Sequence, residues 1–154
     1  MRNAVFVAPY FLEATLRFID AVARLDGVRL ALVSSDPEEK LPPALRQRLA
    51  AHWRVDDCLD ADQLVGAIRR LASRIGPPER LIGTLEELQV PLAVARERLG
   101  IAGLGAEAAA NFRDKARMKR VLAAAGLPCA RHRLVADAGE AQAFAAEVGF
   151  PLVI

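Results

Sequence analysis

The sequence is short of several things, and each shortage closes a class of function. Among 154 residues there are only two cysteines, Cys58 and Cys129, too few for a disulfide framework. They read as small hydrophobes in a reducing compartment. The formal net charge is only +2, which gives no general attraction to nucleic acid or an anionic membrane; an anion site would have to be local. Aromatic residues are few, and none is interleaved with the basic residues from Arg113 to Arg120, so a nucleic-acid surface is not expected. No apolar run approaches the ~20 residues of a membrane span. The N-terminal run Ala4–Ala8 is interrupted by Pro9 and followed by Glu13, Arg17 and Asp20, which is no signal peptide. A cytoplasmic protein with neither nucleic-acid nor membrane partner is the expectation.

Glycine-rich phosphate loops are also missing where they would be needed. Ala4–Ala8 reads as a strand buried on both faces, but Ala8-Pro-Tyr-Phe-Leu-Glu13 follows it without a glycine. The stretch Gly103-Leu-Gly105-Ala-Glu-Ala108 does match G-x-G-x-x-A. Only a stub, Ile101-Ala102, precedes it, and no acid stands about 20 residues on, so these glycines read as linker punctuation. Asp36 ends the second strand, where a ribose-reading acid would stand; without the loop it reads as a turn residue before Pro37. His52 and His132 are far apart, and no Cys/His spacing suits zinc. P-loop and G-x-S-x-G motifs are absent.

What is present is an alternation of strands and helices. Strands are expected at Ala4–Ala8, Val28–Val33, Val55–Leu59 and Arg80–Gly83. Helices are expected at Ala14–Leu25, Pro43–His52, Gln63–Ile75 and Pro91–Leu99. The stripe Leu64, Ala67, Ile68, Leu71 and Ile75 is the clearest of these. Such alternation means βαβ units and an open parallel α/β sheet. After Gly105 the texture changes. A helix is expected from Lys115 to Ala125, stopped by Gly126 and Pro128; then a strand at Arg131–Ala136, a capped helix through Val148, and a strand beginning at Pro151-Leu-Val-Ile154. An ending inside an apolar strand reads as a cut.

Asp114-Lys115 opens the helix that carries Arg117, Lys119 and Arg120. On local pattern alone this is an acid favouring the helix start beside a solvated lysine. The wider order of motifs adds to that. Gly83-Thr-Leu-Glu-Glu87, Arg98-Leu-Gly-Ile-Ala-Gly103, Arg113-Asp-Lys-Ala-Arg-Met-Lys-Arg-Val-Leu122, Ala125-Gly-Leu-Pro128 and Val148-Gly-Phe-Pro-Leu-Val-Ile154 together resemble the ATP-grasp superfamily. The nearest branches are biotin carboxylase, carbamoyl-phosphate synthetase and the carboxylate–amine ligases. One departure is Ala102, where that family often has proline.

The resemblance implies a Rossmann-like preATP-grasp domain over residues 1–105 and a truncated N-terminal part of the ATP-grasp domain, of α+β type, over 106–154. It implies an ATP-dependent ligase that activates a carboxylate as an acyl phosphate for attack by an amine. By the same resemblance Lys115 contacts the nucleotide phosphates, Val153 lines the adenine slot, and Glu87 stands near the carboxylate substrate. ATP and Mg²⁺ would be used by the longer parent, with the remainder of the ATP-grasp domain as partner. The second lysine, the glycine-rich lid and the magnesium carboxylates of that family lie beyond this sequence. The chain alone is therefore expected to be inactive and to bind ATP weakly. Two alternatives are a stand-alone, non-catalytic Rossmann-like binding domain and an NAD(P)-dependent reductase, the latter disfavoured by the missing glycine loop.

Overall fold

A computed structural model describes residues 1–153 of the chain. It divides into two compact units, Met1–Arg113 and Asp114–Ile154. The first unit holds a four-stranded sheet: β1 (Arg2–Val7), β2 (Val28–Ser34), β3 (Ala51–Arg54) and β4 (Arg80–Ile82), in spatial order β3-β2-β1-β4 with every pair parallel. Parallel neighbours require crossovers. These are α1 (Glu13–Ala23), a 3₁₀ turn at 38–40 with the short α2 (Pro43–Arg46), and α3 (Ala61–Ile75). After β4 come a 3₁₀ turn at 86–88, α4 (Gln89–Leu99) and α5 (Ala106–Arg113).

The strands are apolar because both sheet faces are covered. On β1, Val5 and Val7 enter one core with Ala31 and Val33 of β2, the α3 stripe Leu64, Ile68, Leu71 and Ile75, and Leu88 and Leu92. Ala4, Phe6 and Ala8 point into a second core with Leu30, Leu32, Ile19 of α1, Leu41 and Leu45. Alternate residues of one strand thus serve two layers. Asp60 caps α3 by accepting the amides of Asp62 (2.8 Å) and Gln63 (3.3 Å).

The path between β2 and α3 differs from expectation. Helix α2 is a single turn, and His52 lies in β3 rather than at the end of a helix. The third strand is Ala51–Arg54, not Val55–Leu59; it pairs with Ala31–Ser34 of β2. Pairing beside a buried strand outweighs the weak local helix preference there. Ile101-Ala102 forms no strand, although the Ile101 side chain is buried. Helix α5 follows the expected linker glycines and stays with the first unit, with Ala109 fully buried.

The second unit contains α6 (Lys115–Ala124) and α7 (Ala138–Val148). Asp114 caps α6 through the Arg117 amide (3.0 Å), and Asp137 caps α7 through the Glu140 amide (2.9 Å). The Glu140 carboxylate returns to the Ala136 amide at 2.8 Å, completing a capping box with Asp in the cap position. The strands expected at Arg131–Ala136 and from Pro151 are irregular over the described residues, and Ile154 lies outside those residues. A strand without a paired neighbour has no ladder to hold it. Among the described residues no helix is long and apolar enough to cross a membrane.

Candidate functional site

The strand order reverses between β1 and β4, since β1 leads outward to β2 and β3 while β4 lies on its other side. In open α/β sheets ligands bind outside the carboxyl ends of the strands at such a point. Two connections leave the sheet there. One is the segment Ala8–Leu12 between β1 and α1; the other is Gly83–Glu87 after β4. Gly83 sits there because a β-carbon would come within 2.7 Å of Leu92 Cδ1 and 3.0 Å of Leu88 Cδ1. Only a bare backbone lets α4 pack so closely against the strand end. The 3₁₀ turn then carries Glu86 and Glu87. Glu86 meets Arg113 at 3.5 Å, whereas Glu87 is exposed and enters no hydrogen bond or ion pair with the described residues.

The segment after β1 is braced by the end of β2. The Pro9 carbonyl accepts the amides of Ser35 and Asp36, both at 3.1 Å, and the Ala8 amide donates to Val33 O at 2.9 Å. Asp36 Oδ2 accepts the Phe11 amide at 2.9 Å, and its Oδ1 accepts from Lys40 Nζ at 2.6 Å. The Lys40 hydrogen bond, followed by that from Phe11, holds the Asp36 carboxyl below its ordinary value of 3.8. Asp36 is therefore more than a turn residue: it ties two loops together. The sequence signal was the i, i+4 spacing of Asp36 and Lys40. Behind it, the buried Ser34 hydroxyl donates to the Asp36 carbonyl at 2.6 Å. Its single proton is thus committed, and it accepts from His52 Nε2 at 2.7 Å. Burial holds His52 below its ordinary 6.5, against the raising influence of Glu38 and Glu39. Ser34 is fully buried, so the pair is a structural link and no nucleophile.

Cys58 is buried, and its thiol is pushed up chiefly by that burial; Ser35 Oγ stands 3.4 Å away. A shallow groove between β3 and α3, lined by Trp53, Arg54, Gln63 and Arg70 among others, shares no residue with the switch point. There Arg70 and Arg74 lie over the Trp53 ring at 4.9 and 5.7 Å, covering an indole at the sheet edge.

In the second unit, Lys115 is the first residue of α6 and is exposed. Its ammonium group makes no hydrogen bond or ion pair with the described residues. The Asp114 carboxylate, held below its ordinary value first by the Arg117 amide, already occupies that first-turn amide. An anion approaching this helix start would meet the Lys115 side chain and compete with a carboxylate for the Arg117 amide. Lys119 is engaged with Ala130 O at 3.3 Å. Val153 is 99% exposed and outside any strand. Glu87 belongs to the first unit, Lys115 and Val153 to the second. Among the described residues no group of three His, Cys, Asp or Glu side chains could share a metal ion.

No family model matches the chain. Over 94 residues, 60% of the chain, it is 34% identical to alanine–anticapsin ligase of Bacillus subtilis (strain 168), a match covering 20% of that protein. It is 27% identical over 111 residues to an L-arginine-specific L-amino acid ligase of Bacillus subtilis, covering 69% of this chain and 27% of that one. The chain thus spans about a fifth to a quarter of the length of these curated relatives. Among solved structures, L-amino acid ligase from Bacillus licheniformis superposes with a TM-score of 0.66 at 14% identity, over 96% of this chain and 42% of that one. The ADP complex of purK, N5-carboxyaminoimidazole ribonucleotide synthetase, gives 0.66 at 18% identity, over 97% and 36%. Phosphoribosylglycinamide synthetase from Anaerococcus prevotii gives 0.67 at 16% identity, over 97% and 35%. The chain is thus similar in sequence to amino acid ligases and shares a Rossmann-like fold with these solved enzymes, in keeping with the resemblance carried by its ordered motifs.

Proposed function

We propose that this chain is the N-terminal region of an ATP-dependent carboxylate–amine ligase whose substrates are amino acids. The observation that carries the reading is the match to two amino acid ligases, alanine–anticapsin ligase and an L-arginine-specific L-amino acid ligase. In such a reaction a carboxylate oxygen of the first substrate attacks the γ-phosphorus of ATP, ADP leaves, and an acyl phosphate forms. The amine nitrogen of the second substrate attacks the carbonyl carbon, inorganic phosphate leaves, and the amine proton passes to a base. Phosphorylation is needed because a carboxylate is a poor electrophile; the protein's part is mostly positioning and neutralisation of charge.

Lys115 is a point charge for the nucleotide phosphates, supported by its exposed ammonium at the start of α6, unpaired among the described residues. Val153 lines the adenine slot. Glu87, at the switch point and free of an ion pair among the described residues, meets the ammonium group of the carboxylate substrate. ATP-grasp ligases in general use ATP with Mg²⁺, which would neutralise phosphate charge; among the described residues no cluster of His, Cys, Asp or Glu side chains would hold the ion. The domain division at residues 105/106, the need for the remainder of the ATP-grasp domain and a cytoplasmic setting belong to the same proposal.

The test is Lys115→Ala in the full-length ligase, with ATP affinity and amino acid-dependent phosphate release as readouts. Loss of one charge-assisted phosphate contact is expected to weaken ATP binding about 10-fold or more. An unchanged dissociation constant removes Lys115 from the site, and absence of phosphate release with every amino acid pair removes the ligase reading.

A further inference from the structure

In dinucleotide-binding sheets of this strand order, the loop after β1 and the helix start behind it hold a phosphate, which needs glycines and free backbone amides. This chain lacks the glycines, and one amide of the loop is already taken. Ala8–Leu12 contains no glycine. The Phe11 amide is already given to a carboxylate, Asp36 Oδ2, at 2.9 Å. A second carboxylate, Glu13, stands in the first turn of α1, where it pairs with Arg17. The Asp36 side chain is only 18% exposed and is held from its other side by Lys40. Its charge is therefore built into the loop. A phosphate dianion brought to this strand end would find no glycine cradle and would compete with the Asp36 carboxylate for the Phe11 amide.

The same bracing gives the loop a defined outward face. Pro9 is buried, with its carbonyl bonded to the Ser35 and Asp36 amides. Leu12 O accepts the Leu16 amide at 2.9 Å, so the far end of the loop is fixed by α1. Between these anchors Tyr10 and Leu12 are each 55% exposed. Two large apolar side chains on a short, pinned loop at a ligand-binding position form a surface for an uncharged group. The neighbouring exit, after β4, adds the exposed Glu87. The two exits thus offer apolar groups and a carboxylate, the complements of an apolar side chain and an ammonium group.

Resting on the ligase reading above, we propose that Tyr10 and Leu12 are specificity-determining residues. They take the uncharged, apolar side chain of the amino acid substrate, and the Asp36-occupied loop rejects a phosphorylated one. The fold neighbours that make phosphoribosyl compounds would then differ from this protein at this loop, whatever their shared architecture.

The experiment uses the full-length ligase with L-alanine, L-leucine, L-phenylalanine and O-phospho-L-serine as first substrates and one fixed second amino acid, reading phosphate release. Leucine and phenylalanine are expected to exceed O-phosphoserine in kcat/KM by about 100-fold or more. Tyr10→Ala with Leu12→Ala should lower kcat/KM for leucine and phenylalanine by about 10- to 100-fold, while alanine, which fills no such surface, changes less than about threefold. Both side chains are largely exposed, so the melting temperature should hold; Tyr10→Phe with Leu12→Met, which keeps apolar volume, should retain wild-type selectivity. Turnover with the leucine-to-alanine ratio unchanged in the double alanine variant overturns this inference alone. Preferred use of O-phosphoserine does the same. No phosphate release by the wild type with any amino acid pair, these four included, overturns the ligase reading and this inference with it.

Discussion

The first 113 residues and the remaining 41 treat their apolar side chains differently. In the first unit, both faces of a parallel sheet are covered, and Phe6, Ile19, Leu32, Leu64, Ile68 and Leu71 are buried to 1% exposure or less. In the second, neither α6 nor α7 contains a buried residue, although both helices have sound caps and an apolar stripe. Capping and helix propensity specify where a helix starts and stops, but tertiary burial supplies most of its stability. One unit has a core; the other has well-formed helices without one among its described residues.

The strongest way to break that contrast is to isolate its weaker half. Residues 114–154 alone are expected to show partial helicity and no cooperative thermal transition by circular dichroism, because a chain of about 40 residues rarely buries enough surface without a disulfide or metal. A sharp melt of that segment would refute the contrast. Residues 1–113 should melt cooperatively.

Next in size are core truncations. Phe6→Ala or Leu71→Ala is expected to destabilise the first unit by about 3–5 kcal/mol in urea denaturation. Leu122→Ala, in a helix with no buried residue, should cost under about 1 kcal/mol. Comparable losses at Leu71 and Leu122 would mean that the second unit has a core of its own.

Two glycines sharpen the picture at smaller scale. Gly83→Ala forces a β-carbon against Leu92 and Leu88 and should destabilise by about 1–3 kcal/mol. Gly66→Ala has open space within α3 and should stabilise by about 0.5–1 kcal/mol through helix propensity. Opposite signs in the same melt are the expected result; equal signs would argue against close packing at the end of β4.

The smallest expected effect is on pH dependence. The Asp36 carboxyl is held below its unfolded value by Lys40 and Phe11. The folded state therefore binds fewer protons, and stability from this brace is present above about pH 4 and lost as the pH falls through the lowered value. Asp36→Asn should reduce stability at neutral pH and flatten the dependence below about pH 4. An unchanged acid limb would show that the brace is not energetically coupled to folding. Arg70 and Arg74 over Trp53, in the same unit but away from Asp36, provide a control surface that should not alter that limb.

Much of the first unit was legible because its signals are local. Continuous apolar runs marked β1 and β2, and the 3.6-residue stripe with Asp60 before it marked α3. The third strand was not legible: Ala-His-Trp-Arg has no strand pattern of its own and becomes one by pairing with Ala31–Ser34. Glu87 and Lys115 could be singled out from motif order, since each stands at a recognisable element start. Asp36 was underread because its importance lies in a contact with Phe11, 25 residues away.

By itself, then, the amino-acid order determined the alternation of strands and helices, their caps, and the absence of a glycine phosphate loop. These follow from backbone geometry and side-chain periodicity over a few residues. Only tertiary structure decided the strand order β3-β2-β1-β4, the placement of β3, and the meeting of Pro9, Phe11, Asp36 and Lys40 at one strand end. Those depend on which distant segments share a ladder, a long-range choice settled by burying both faces of the sheet at once.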